Sequence, residues 1–223
     1  MTLRKYVSRS MVPVMLVLLT IGANPALAAV ADYVGFGWET GGIDPSVPGD
    51  ELAIATVVTQ IDALFGIDLN AVESTLYIDG LLSQGAIVNP STGITTISYT
   101  GGTLRLYADP GEDSDWGINP ANGTVPSTFI NGDLLFEASF TSFSLILQSS
   151  GGGAFEGYLN GTGGSALIGP CSDCAYTFAG AFSTPSGAQI PEGYDLQVDG
   201  VLEVESAVAI ENMSWGSVKN LYR

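Results

Sequence analysis

The sequence predicts an all-β protein, a two-layer antiparallel β-sandwich of about nine or ten strands. Three observations carry that expectation. Short runs of β-branched and aromatic residues recur along the chain, many alternating with polar residues. Most of the 29 glycines fall between those runs, where turns need them. No repeat of constant period and no second domain is visible, so residues 29 to 210 read as a single unit. About 195 residues remain after a leader, enough to bury roughly 70% of the unfolded surface.

The leader is residues 1 to 28. A basic start, MTLRKYVSRS, precedes an apolar stretch from Met11 to Ala23, and Ala26-Leu27-Ala28 makes a small-x-small cleavage site before Ala29. That stretch is short of the roughly 20 residues a bilayer-spanning helix needs. No Arg-Arg pair marks the twin-arginine route, and no cysteine follows to take a lipid. The expectation is an exported protein, extracellular or periplasmic, with no transmembrane anchor once the signal is removed.

The strands are expected in this order. VGFGW (34 to 38) comes first. ELAIATVVTQIDALFG (51 to 66) is ambiguous: Ile54, Val57, Val58, Ile61, Leu64 and Phe65 share a helical face, yet TVVTQI is β-branched. Its strand neighbours tip it towards strand. TLYIDGLL (75 to 82) follows. In TGITTISYTGGTLRLYAD (92 to 109), two alternating runs flank Gly101-Gly102, which predicts a hairpin turning at that pair. DLLFEASF (133 to 140), SFSLILQ (142 to 148), AFEGYLN (154 to 160), YTFAGAF (176 to 182) and YDLQVDGVLEVESAVAI (194 to 210) complete the set, with a reversal at Gly151-Gly152-Gly153. Residues 211 to 223 read as a tail.

Charge and composition exclude several functions. The chain has 23 acids, 6 Lys plus Arg and no histidine. Without the leader, Arg105, Lys219 and Arg223 face all 23 acids, a net charge of −20. Such a surface repels phosphate backbones, so nucleic acid is excluded as a partner. Lack of histidine removes Ser-His-Asp and Cys-His nucleophiles and histidine-ligated zinc.

Four features could carry chemistry. In residues 108 to 129, Asp109, Glu112, Asp113 and Asp115, with Asn119 and Asn122 beyond, could supply the roughly six to eight oxygens that calcium takes. The spacing is not that of an EF-hand, and a solvated acidic loop is the plainer reading. Trp116 lies among loop residues and is the candidate ligand contact, since exposed aromatics beside acids suit carbohydrate. Cys171 and Cys174 in GPCSDC predict a structural disulfide across one tight turn rather than a redox pair, because a strand follows instead of a helix. Glu137 and Glu156 are the best guesses for a carboxylate-only hydrolase. Asn122-Gly123-Thr124 and Asn160-Gly161-Thr162 match the glycosylation sequon but read as turns.

The stretches ISYTGGTLRLYADP (97 to 110), TFINGDLLFEASF (128 to 140), LNGTGGSAL (159 to 167) and AQIPEGYDLQVDGVLEV (188 to 204) together resemble secreted bacterial proteins of uncharacterised function that often carry a Pro-Glu-Pro C-terminal sorting tail. The resemblance spans roughly residues 70 to 205. It implies an exported β-rich protein of the envelope or matrix, with no catalytic residues to transfer. The tail itself is missing after Ile210, where ENMSWGSVKNLYR follows.

The functional expectation is an exported non-enzymatic protein with a structural, surface or adhesive role, supported by calcium if the acidic loop binds it. Its partner would be a polysaccharide or an envelope protein. A carbohydrate-binding module is the alternative, and a secreted carboxylate hydrolase comes third. An outer-membrane barrel is a weaker fit, because NLYR does not close the chain as an aromatic-ended strand and few girdle aromatics are available.

Overall fold

The computed structural model describes residues 28–117, 125–166, 174–185 and 190–205. Its strands are β1 (Ala28–Glu39), β2 (Glu51–Ile61), β3 (Glu73–Val88), β4 (Thr95–Asp109), β5 (Asp133–Leu147), β6 (Gly152–Gly163), β7 (Ala175–Ser183) and β8 (Leu196–Glu205). Each is antiparallel to the next, and β8 returns to pair with β1, from Ala28↔Glu205 to Gly37↔Leu196. The sheet closes on itself. The two-layer sandwich is therefore corrected to one closed barrel of eight strands. Alternating inward and outward residues look the same in both architectures, and only the pairing of the two terminal strands separates them.

Two local misreadings account for the strand count. Gly101-Gly102 does not turn a hairpin but lies inside β4, with φ of 73° and 91°. Gly80 on β3 faces it with φ of 74°, so both strands bend together at one corner of the barrel. A Cβ on Gly102 would come within 2.5 Å of the Leu81 side chain. The runs 133 to 140 and 142 to 148 are likewise one strand, β5, whose pairing with β6 slips between Phe140 and Ser142. The expected reversal after Leu147 is present: Gln148 N donates to Gly152 O at 2.8 Å, and Gly151 has φ of 82°.

The ambiguous segment is strand over most of its length, not the helix its apolar face allowed. Residues 51 to 61 are β2, and a 3-10 turn, Ala63–Phe65, stops at Gly66 with φ of 68°. Leu52, Ala53, Ile54, Ala55 and Thr56 are all buried, because both faces of β2 are covered. That removes the alternation by which a strand is recognised.

Side chains fill the barrel interior. Tyr33 stacks on Phe178 with ring centroids 4.6 Å apart, and Phe140, Phe143 and Phe155 surround Phe178. Gly157 leaves the space they occupy, since a Cβ there would lie 2.6 Å from Phe140 and 2.7 Å from Phe143. Leucine, isoleucine and valine from every strand but β1 and β7 complete the core. Each large side chain so buried stabilises the fold by about 2–3 kcal/mol relative to exposure.

A second cluster lies on the outer wall. Ala55, Tyr77, Tyr107, Val125, Phe129 and Tyr194 are buried there, with Phe36, Trp38 and Trp116 packed against them. The β4–β5 and β7–β8 connections start from opposite ends of the barrel and meet here, where the Tyr194 hydroxyl donates to Trp116 O at 2.5 Å. Elsewhere the outer wall is mixed: Thr100, Ser139, Ser142, Glu156, Asn160, Gln197 and Asp199 are exposed, and so are Val34, Leu134, Ile146 and Tyr158. The apolar interior differs from the polar lumen of an outer-membrane channel. No helix among the described residues is long and apolar enough to cross a membrane.

Candidate functional site

The connections β1–β2, β3–β4, β5–β6 and β7–β8 gather at one end of the barrel, its mouth. Inward alternation along β1 places Glu39 in phase with Ala31 and Tyr33, so a carboxyl enters the interior just below the mouth. Glu39 is only 5% exposed. Its Oε2 accepts from the Tyr99 hydroxyl at 2.5 Å, and its Oε1 has no hydrogen-bond partner. Its backbone N donates to Asp195 Oδ2 at 2.7 Å.

The 40–50 segment closes over this carboxyl. Ile43 inserts into the core, and the Ser46 and Ser83 hydroxyls bond at 2.6 Å. Ala86 N donates to Ser46 O, Gly49 N to Ser83 O and Ser83 N to Asp50 O, which ties the segment to β3. Burial raises the Glu39 carboxyl above the usual range. The hydrogen bond from Tyr99 and the nearby Ser46 hydroxyl oppose the rise, and Asp50 and Asp195 add to it. Asp195 is raised by burial as well, offset in part by the Glu39 N–H. Tyr99 is pushed far above an ordinary tyrosine, first by burial and then by its bond to Glu39. Burial thus outweighs the opposing hydroxyls, and Glu39 binds its proton more tightly than a free glutamate does.

Above the segment lies a cleft of about 510 Å³. Asp44, Thr95, Gln148, Ser149, Thr184 and Asp195 line it, with backbone from Gly42, Gly93 and Gly151. Its walls offer carboxylate, amide and hydroxyl groups and no aromatic ring. Glu39 is not part of the wall; Ile43 is.

Among the described residues, the side chains expected to bind calcium are engaged separately. Asp109 ends β4 and is buried, with Oδ1 taking Gly111 N at 2.7 Å and Oδ2 unpartnered. Glu112 is exposed with φ of 47°. Asp113 accepts from Asn131 Nδ2 at 3.0 Å, and Asp115 accepts from Gly117 N at 2.8 Å. Asn119 and Asn122 lie outside the described residues. No group of three or more acidic or cysteine side chains is placed to hold a metal among the described residues.

Trp116, the expected ligand contact, packs on the outer wall of the barrel. Its ring meets Phe36 edge-on at 5.3 Å, its Nε1 donates to Ala55 O at 3.2 Å, and it is half-buried. Glu137 and Glu156 both project outward. Arg105, the one Lys or Arg between residues 28 and 205, bridges Glu137 Oε2 and Asp79 Oδ1, each at 3.0 Å. Asn160 and Thr162 lie in β6, not in a turn. Cys174 carries no free thiol, while Cys171 lies outside the described residues.

Sequence reasoning passed over Glu39, Tyr99, Ser46, Ser83 and Asp195. A signal for the first was present: in YVGFGWE, strict alternation sets Glu39 on the Tyr33 face, a charged residue at a core position. Comparison with protein families, curated proteins and solved structures finds no match for the chain.

Proposed function

We propose that the protein is an exported, non-enzymatic scaffold barrel whose working surface is the polar cleft at its mouth, where it takes a hydroxyl-rich ligand such as the end of a polysaccharide. The filled interior is the observation that carries this reading. Eight-stranded barrels either pack their lumen or hold one small ligand inside it. Here aromatic and aliphatic side chains occupy that space, which moves binding to the rim. Asp44, Asp195, Gln148 and Thr95 supply the acceptors and amide that sugar hydroxyls use, and the volume lies within the usual range of ligand sites. Without a stacking aromatic the affinity is expected to be weak, with Kd of order 10⁻⁴ M.

The acidic surface and the leader support a place outside the cytoplasm. Two features favour a non-catalytic role. The carboxyl of Glu39 is buried and does not line the cleft, and the outward Glu137 is held by Arg105. A glycan array followed by amide-shift mapping tests the reading. Shifts at residues 42–44, 93–95 and 148–151 and at Thr184 and Asp195, weakened about tenfold in Asp44→Asn with Gln148→Ala, are the expected result. Glycan binding that leaves those amides unmoved, or hydrolysis of the glycan, contradicts it.

A further inference from the structure

We propose that Glu39 is a proton-controlled latch: its neutral carboxyl holds the 40–50 segment across the barrel mouth, and its ionisation releases that segment. The inference concerns closure of the mouth and stands whatever ligand the cleft takes.

The geometry is that of a latch because the carboxyl sits where the segment joins the barrel. Glu39 is the last residue of β1, and Ser46 in the segment reaches Ser83 on β3 beside it. Only 5% of Glu39 is exposed, so water cannot solvate a charge there. A carboxylate would also leave Oε1 without a donor. The groups acting on it from neighbouring elements are Tyr99 on β4, Ser46 and Asp50 on the segment, and Asp195 before β8. None of these is a cation, and the only Lys or Arg among the described residues, Arg105, is engaged with Asp79 and Glu137. Ionisation therefore sets a buried charge beside two further acids. The cheapest relief is to lift the segment that carries Ile43, Ser46 and Asp50, since that admits water and removes one acid together. The strand pairs below stay intact.

Linkage fixes the direction. A carboxyl that holds its proton more tightly in the closed form favours closure at low pH and loses that contribution as pH rises through its own titration. Burial puts that titration above the ordinary glutamate range. Tyr99 donates to the carboxyl and favours the charged form, so its removal moves the titration further up.

The test is amide hydrogen exchange on the full exported chain from pH 4 to 9, expressed as protection factors, with the Glu39 carboxyl followed by ¹³C NMR. The reporters are the Gly49 and Ala86 amides, which bond across the segment to Ser83 O and Ser46 O. Their protection is expected to fall about tenfold or more as Glu39 titrates, while Phe178 and Leu202 in the barrel wall hold theirs. Glu39→Gln, which keeps a partner for Tyr99 and cannot ionise, is expected to abolish the fall. Tyr99→Phe is expected to shift the fall to higher pH and serves if the glutamine variant does not fold. Protection at Gly49 and Ala86 that is flat with pH in the native chain overturns the proposal. So does a fall that persists in Glu39→Gln, which would assign the effect to Asp195 or Asp50, or one that moves to lower pH in Tyr99→Phe.

Discussion

A carboxyl that enters an apolar barrel beside a tyrosine must keep its proton or find a counter-charge, and Glu39 has no counter-charge. Its consequence for stability has a definite sign. Because burial raises the folded-state titration, stability from Glu39 is complete below the unfolded value and is lost as pH climbs through the folded one. Asp195 is displaced the same way. Thermal melts should therefore show Glu39→Gln more stable than the native chain at pH 8 and nearly equal to it at pH 4. Glu156→Gln, on the exposed outer wall, controls for the loss of one negative charge; if it matches Glu39→Gln at pH 8, burial of Glu39 is not the cause.

Gly102 makes a second claim at the residue scale. Its φ of 91° and the 2.5 Å approach of Leu81 leave no place for a methyl group. Gly102→Ala should cost about 2–3 kcal/mol and lower Tm by about 5–10 °C. A melt within about 1 °C of the native chain would refute the bend at this corner. The same residue shows why a strand was misread. Glycine with positive φ serves a hairpin turn and a barrel corner equally, and the sequence marks the conformation without saying which.

Among the elements, the acidic connection between β4 and β5 is held by its apolar residues rather than by its charges. Trp116 and Phe129 pack on the outer wall, Thr75 Oγ1 donates to Phe129 O at 2.8 Å, and Glu73 accepts from Ser114 N at 3.0 Å. Trp116→Ala should cost about 2 kcal/mol and open this connection to limited proteolysis while the barrel endures. Uncut protein would show that the anchor lies elsewhere.

The acids of that connection are engaged separately, Asp113 with Asn131 and Asp115 with Gly117. At equal ionic strength, Ca²⁺ and Mg²⁺ are expected to raise Tm alike by screening. A larger calcium shift, lost in Asp113→Asn with Asp115→Asn, would instead establish a calcium site. Sequence composition identified this acidic run, yet it could not show that the tryptophan in its midst faces the wall. That required knowing that β2 buries both faces.

For the molecule as a whole, most strand positions were legible, because alternation and glycine punctuation are local signals. The eight strands fall on the runs read from the sequence, two pairs of which are fused. Closure was not legible. It depends on β1 meeting β8 across more than 150 residues, and no local pattern encodes that contact. The mouth was lost with it, since Glu39, Ser46, Ser83, Tyr99 and Asp195 come together only when four connections share one end. The lone cation was easy to find and hard to interpret. Arg105 holds Asp79 and Glu137 across β3, β4 and β5, a role that the register alone reveals.

Closure of the barrel decides where the mouth is, and therefore where the protein works. The direct test is a search for cross-strand NOEs between β1 and β8 in the labelled chain. Contacts are expected in the antiparallel register Ala31↔Leu202, Tyr33↔Gly200 and Gly35↔Val198, alongside the β7–β8 pair Phe178↔Leu202. With both neighbours present, β8 is an interior strand and the sheet is closed. If β8 shows contacts to β7 alone and β1 to β2 alone, the sheet has two free edges, and the account of the filled barrel and its mouth fails.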